Sequence, residues 1–201
     1  GAQCCPLPTA YLSAHTAFPE LGKAAFLDLT RELEQTQEHW AALGVALDAV
    51  YSGFIGSAGQ IAAIRRFYER FRGADTVVLC DPVMGDGGRP YRTYTPDMCR
   101  AMGELAALAD VITPNLTEAA LLLGEEYADA PGSETAARAW LERLSRDGRR
   151  SVVLTGLSFT GGEIGAGYFD AADGRTGFAM ARQEPAHFPG TGDLFASVVL
   201  G

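Results

Sequence analysis

The chain has 201 residues, 47% hydrophobic and 20% charged, the balance of one folded globular domain with enough apolar surface for a real core. A formal charge of −9 argues against a nucleic-acid surface, and the one basic run, residues 65–72, reads as the solvated face of an amphipathic helix. No apolar run approaches the roughly 18 residues of a membrane span, and no signal peptide or lipidation motif is read, so no membrane partner is expected.

In chain order, short β-like runs alternate with helical patterns. Strands are predicted at residues 2–7, 47–52, 75–80, 110–113 and 151–155. Helices are predicted at 28–42, 57–72, 97–108, 116–123 and 133–147. The first places Leu29, Leu33, Trp40 and Leu43 on one face. The last opens on Ser133 as N-cap and closes on Gly148. Near-continuous apolar strands between helices predict an α/β fold of three layers, α/β/α, around a mostly parallel, doubly wound sheet. Residues 165–182 break the rhythm: two strand patterns around Asp173-Gly174 predict an antiparallel hairpin.

Cys4, Cys5, Cys80 and Cys99 form no CxxC pair. Cys4, Cys5 and Cys80 lie in apolar, strand-like runs and are expected to act as small hydrophobes, which fits a reducing, cytoplasmic setting. Lys23 is the single lysine, and it stands in ELGKAAF without the glycine loop of a P-loop nucleotide site.

Ligands of open α/β sheets bind beyond the carboxyl ends of the strands, so the strand exits carry the functional expectations. In CDPVMGDGGRPY, Asp81 follows a buried strand. Asp81 and Asp86 could hold a cation that keeps most of its waters, or Asp86 could be a plain turn acid. In TPNLTEAALLLG, Asn115 and Glu118 have the spacing of a capping box, which is compatible with a role toward hydrated Mg²⁺. In FPGTGD, glycines open a helix, where free N–H groups and the positive dipole end attract anions. There Asp193 could accept a proton from an attacking hydroxyl, or Thr191 or Asp193 could simply cap the helix. His15 lies in LSAHTAF, a polar loop suited to an aromatic ligand, and could equally be a satisfied loop histidine.

Taken together, LPTAYLSAHTAF, VYSGFIGSAGQI, VVLCDPVMGDGGRPY, DVITPNLTEAALLLG, VVLTGLSF and GTGDLFASVVLG resemble the ribokinase-like small-molecule kinases, and within them the pyridoxal/pyridoxamine (vitamin B6) kinases. The resemblance implies transfer of the ATP γ-phosphate to the 5′-hydroxyl of a B6 vitamer. It implies Asp193 as general base, in contact with the substrate, and Gly190, Thr191 and Gly192 as an anion hole, Thr191 and Gly192 also touching ATP. Asp81, Asn115 and Glu118 match positions near Mg²⁺ and the ATP phosphates. Asp86 and Thr113 match the neighbourhood of a monovalent cation, K⁺ or Na⁺. Thr155 matches a nucleotide contact. Thr16, with His15, Leu12 and Phe54, matches the substrate-ring pocket, and Tyr91 is a looser match.

Where many relatives read SNHTG, this chain has Ala14 and Ala17, which alters the substrate loop. The resemblance also implies a homodimer. The family's first strand and helix, and the helices after GTGD, have no counterpart, so residues 1–201 are expected to form a single but incomplete kinase domain. One alternative is a hydroxymethylpyrimidine (phosphate) kinase of thiamin synthesis on the same fold. Such enzymes usually carry Cys at the position of Asp193, so the acid favours B6. Further alternatives are a sugar or nucleoside kinase, and a catalytically inactive ligand-binding remnant.

Overall fold

Apolar strands buried on both faces need helices to cover them, and the chain delivers strands and helices in alternation. The computed structural model describes residues 3–14, 24–185, 188 and 190–201. A small antiparallel pair comes first, β1 (Ala10–Leu12) and β2 (Phe26–Asp28), with Ala10 opposite Asp28. There follow α1 (Thr30–Ala42), β3 (Ala49–Ser52), α2 (Ala58–Phe71) and β4 (Val77–Cys80). A two-residue ribbon, β5 (Gly85–Asp86) and β6 (Arg89–Pro90), precedes α3 (Pro96–Ala106) and β7 (Val111–Ile112). Next come α4 (Leu116–Leu123), a 3₁₀ turn at Tyr127–Asp129, α5 (Glu134–Leu144) and β8 (Ser151–Leu157). The chain closes with β9 (Glu163–Phe169), β10 (Thr176–Arg182) and α6 (Thr191–Leu200).

The central sheet has six strands in the order β10-β9-β8-β7-β4-β3. β3, β4, β7 and β8 are parallel, and β9 and β10 add an antiparallel hairpin at one edge. Successive parallel strands step one way across the sheet, so right-handed crossovers put their helices on one face. Accordingly α1 packs on α2, α2 on α3, α3 on α4 and α4 on α5. The opposite layer is α6, which packs on β3. The fold is therefore the expected three-layer α/β/α arrangement.

Register assigns each residue to a face. Ser52, Cys80, Ile112 and Val152 lie side by side across four strands. With Val50, Val78 and Leu154 they point to the α1–α5 side, and all except Ser52 belong to the main core. Helix punctuation is local and legible. Ser57, Thr95 and Ser133 accept hydrogen bonds from the backbone N–H three residues on, at 3.2, 3.2 and 3.3 Å, and Gly124 ends α4 at φ 69°, where a side chain would be strained.

Two expectations need correction. Residues 3–7, the described part of the first predicted strand, are irregular, and Cys4 and Cys5 are exposed. A strand needs a partner ladder, and the edge of the sheet ends at β3; only Cys80 is the buried small hydrophobe expected. Leu43 follows the end of α1 and is 64% exposed, whereas Leu33 is fully buried and Trp40 packs edge-on against Phe67 and Phe71.

Candidate active site

The carboxyl ends of the parallel strands converge on one edge of the sheet. Asp81 leaves β4 with its N–H held by the Ser52 carbonyl at 2.8 Å. Thr113 leaves β7 with its N–H on the Cys80 carbonyl at 3.3 Å. Asn115 forms a parallel bridge with Thr155 of β8, whose N–H reaches the Pro114 carbonyl at 2.9 Å.

α6 brings the glycine turn to the same place. Its N-cap is Gly190, left-handed at φ 84°, and no side chain caps the helix. The Thr and Asp capping alternatives are thus not what the structure shows, and the first-turn N–H groups are left for another acceptor. A Cβ on Gly192 would lie 3.9 Å from Asp81 Oδ2, so the turn runs beside that carboxylate. Asp193 stands in the first turn of α6, and the Tyr51 hydroxyl donates to its Oδ1 over a long 3.4 Å.

Asn115 and Glu118 do form a capping box. The Asn115 side-chain oxygen accepts from Glu118 N–H at 3.0 Å, and Glu118 Oε2 accepts from Asn115 N–H at 2.9 Å. Their remaining atoms reach across to the loop after β4: Glu118 Oε1 accepts from Met84 N–H at 3.0 Å, and Asn115 Nδ2 donates to the Gly85 carbonyl at 2.8 Å. The cap thereby fixes a carboxylate beside Asp81, and the capping-box reading of this pair is what the structure shows.

Among the described residues the acids lack counter-charge. Among the described residues no arginine or histidine forms an ion pair with Asp81, Glu118 or Asp193. Burial, reinforced by the charge of Asp193, pushes the Asp81 carboxyl up to about 7. Burial, reinforced by Asp81, pushes Glu118 up to about 8 despite its backbone hydrogen bonds. Beside them the Thr113 hydroxyl oxygen is buried with no hydrogen-bond partner. Acids held this way are stabilised as anions by a cation. Yet no three His, Cys, Asp or Glu side chains among the described residues converge tightly enough to cage a metal. A donor set of separated carboxylates suits Mg²⁺, which keeps most of its waters.

The structure thus gathers Asp81, Thr113, Asn115, Glu118, Thr155, Gly190, Thr191, Gly192 and Asp193 at one edge. Asp86 is exposed at the end of β5, opposite Arg89, and its Oδ1 accepts from Gly87 N–H at 2.8 Å. Leu12 lies in β1 opposite Phe26, and the Phe54 carbonyl accepts from the Thr9 hydroxyl at 3.2 Å, which draws the segment entering β1 against Phe54. His15 and Thr16 lie outside the described residues. Tyr91 is 40% exposed, its phenol pushed up to about 12 by desolvation and then by Glu118, Asp86, Asp81 and Asp193. Tyr51 was not singled out from the sequence; the available signal was its position near the carboxyl end of β3, two residues before Gly53.

This arrangement defines a ribokinase-like kinase fold with an acidic, strand-end cleft. The sequence profile of the phosphomethylpyrimidine kinase family matches residues 4–201. The chain belongs to that family. It is 41% identical over 113 residues to a pyridoxal kinase of Deinococcus radiodurans, covering 55% of this chain and 38% of that protein. It is 33% identical over 196 residues to a hydroxymethylpyrimidine/phosphomethylpyrimidine kinase of Rhizobium meliloti, covering 94% of this chain and 69% of that protein. The chain thus spans well under two thirds of the Deinococcus relative. A Bacteroides thetaiotaomicron protein assigned as a phosphomethylpyrimidine kinase superposes with a TM-score of 0.92 at 38% identity, over all of this chain and 68% of that one. Another crystal form from that organism, with pyridoxal, gives 0.89 at 36% identity, over all of this chain and 71% of that one. The family match and these structures back the pyrimidine-kinase alternative better than the B6 reading. No helix among the described residues is long and apolar enough to cross a membrane.

Proposed function

We propose that this chain carries the catalytic centre of an ATP-dependent kinase that phosphorylates the hydroxymethyl group of a six-membered, nitrogen-containing aromatic ring, with hydroxymethylpyrimidine as the hydroxyl acceptor; its monophosphate, which has no free hydroxymethyl group, would accept a second phosphoryl group on a phosphate oxygen. The observation that carries the proposal is the side-by-side placement of Asp81, the uncapped Gly190–Gly192 turn and Asp193 at the strand ends. The family match supplies the acceptor class.

In this reading Asp193 takes the proton of the acceptor hydroxyl as the γ-phosphoryl group transfers. The free N–H groups at the start of α6 hold the negative charge of the transferring group, where positioning and electrostatics supply most of the catalysis. Asp81 and Glu118 would hold hydrated Mg²⁺, which supplies charge neutralisation at the phosphates. Asn115 fixes Glu118 through the capping box, Thr113 is a candidate for a second, monovalent ion, and Thr155 for the nucleotide.

A second reading, phosphorylation of a B6 vitamer, has its own support. One Bacteroides crystal form contains pyridoxal, the Deinococcus relative is a pyridoxal kinase, and the base position is Asp193 rather than Cys. A panel of MgATP with hydroxymethylpyrimidine, its monophosphate, pyridoxal, pyridoxamine and pyridoxine, followed by ADP release, decides. Fastest turnover with a pyrimidine supports the main reading, and fastest turnover with a B6 vitamer replaces it by the second. ADP formed with no acceptor overturns both.

A further inference from the structure

We infer that Tyr51 is the positioning residue for the Asp193 carboxylate. The inference rests on the phosphoryl-transfer reading above and adds to it a residue outside the strand-exit motifs. Residues two apart on a strand share a face. Val50 and Ser52 face the α2 side, so Tyr51 between them turns the other way, toward the layer that holds α6, and Gly53 follows directly after the end of β3. The Tyr51 ring lies over Gly53: a Cβ there would come within 3.1 Å of the phenol oxygen and 3.6 Å of Asp193 Oδ1. A side chain at Gly53 would press on the phenol, which would have to give by a few tenths of an ångström. Among the described residues, Tyr51 is the side chain that donates to the Asp193 carboxylate.

The contact joins α6 to the strand on which it packs. α6 rests on the sheet through β3, so the direction of Asp193 depends on what β3 offers it. Holding Oδ1 leaves Oδ2 as the acceptor for a substrate proton. At 3.4 Å the bond is long, as catalytic hydrogen bonds often are before reactants are seated. Burial and the charges of Asp81 and Asp193 hold the phenol well above its ordinary range, so it remains a donor at neutral pH.

Three variants of the full chain test the assignment. Tyr51→Phe removes one oxygen and keeps the ring; it should lower kcat about tenfold while KM for ATP and acceptor stay within about twofold. Gly53→Ala leaves Tyr51 intact but displaces its hydroxyl, and should lower kcat similarly. In an Asp193→Asn background, Tyr51→Phe should cost nothing further, because a residue acting through Asp193 is non-additive with it. An unchanged kcat in Tyr51→Phe, or full additivity with Asp193→Asn, would overturn the assignment. Should the wild-type chain turn over no acceptor, the parent reading fails by itself, and the contact is still measurable. The ¹³Cζ resonance of Tyr51 in tyrosine-labelled protein should then move in Asp193→Asn, and an unmoved resonance rejects the contact.

Discussion

The two faces of the central sheet are built from the same strands and fare differently. On the α1–α5 side, Val78, Cys80, Ile112, Val152 and Leu154 are fully buried. On the α6 side, Leu79 is also fully buried, but Val77 is 41% exposed and Val111 and Val153 are only partly covered. α6 itself buries Ala196 alone, leaving Leu194 and Val198 at 67% and 71% exposure. Both sides of β4 and β7 are apolar, with Val77, Leu79 and Val111 on the α6 side. Burial follows from which helices return to which face. The first side holds the fold together by area removed from water. The second carries the acids, the glycine turn and the open helix start, where charge and position matter more than packing.

That contrast makes graded predictions. Truncation on the covered face should be the most damaging. Leu154→Ala should cost about 2–5 kcal/mol, read as a lowered urea midpoint; a loss below ~1 kcal/mol would mean that face is not the main core. On the site side, Asp193→Asn should leave the urea midpoint nearly unchanged and cut turnover by a factor of ~10² or more. An unchanged rate removes Asp193 from the base role.

The acids should also make stability depend on pH. Asp81 and Glu118 rise from ordinary values of 3.8 and 4.5 to about 7 and about 8 on folding. The folded chain therefore holds protons that the unfolded chain has released, and the stabilisation present below about pH 4 is lost as pH rises through about 8. Melting temperature should fall from pH 5 to pH 8.5 without divalent ions, and added Mg²⁺ should recover most of the loss at pH 8.5. A pH-independent melting curve would mean the pair is solvated. The smallest effect is expected at α6: Val198→Ser should change stability by less than about 0.5 kcal/mol, and a larger loss in urea titration would show that this helix face is covered in solution.

Much of the candidate site was readable because it follows chain-local rules. Asp81 stands where β4 must stop before Pro82, Asn115 and Glu118 have capping-box spacing, and glycines crowd before Asp193. Each motif is a short-range statement about a strand end or a helix start, and the structure keeps each one there. Tyr51 could not be read the same way. As one apolar-run residue in VYSG it has the signature of any sheet aromatic, and its meaning depends on Asp193, 142 positions later. The strand expected at residues 2–7 is the complementary case: an apolar run satisfies the local pattern, but its described part, residues 3–7, finds no ladder partner among the described residues and is irregular.

By itself, then, the sequence determined the alternation of strands and helices, the Ser133 and Asn115 N-caps, the hairpin at residues 165–182 and the residue types at each strand exit, whereas α5 ends at Leu144 with Ser145 as C-cap, before the expected Gly148. These depend on backbone preference and periodicity over a few residues. Tertiary structure alone decided which face of the sheet was covered, that β1 pairs with β2, that Glu118 is buried beside Asp81, and that Tyr51 meets Asp193. Those outcomes depend on register and on contacts between distant segments, where burial and charge act through space.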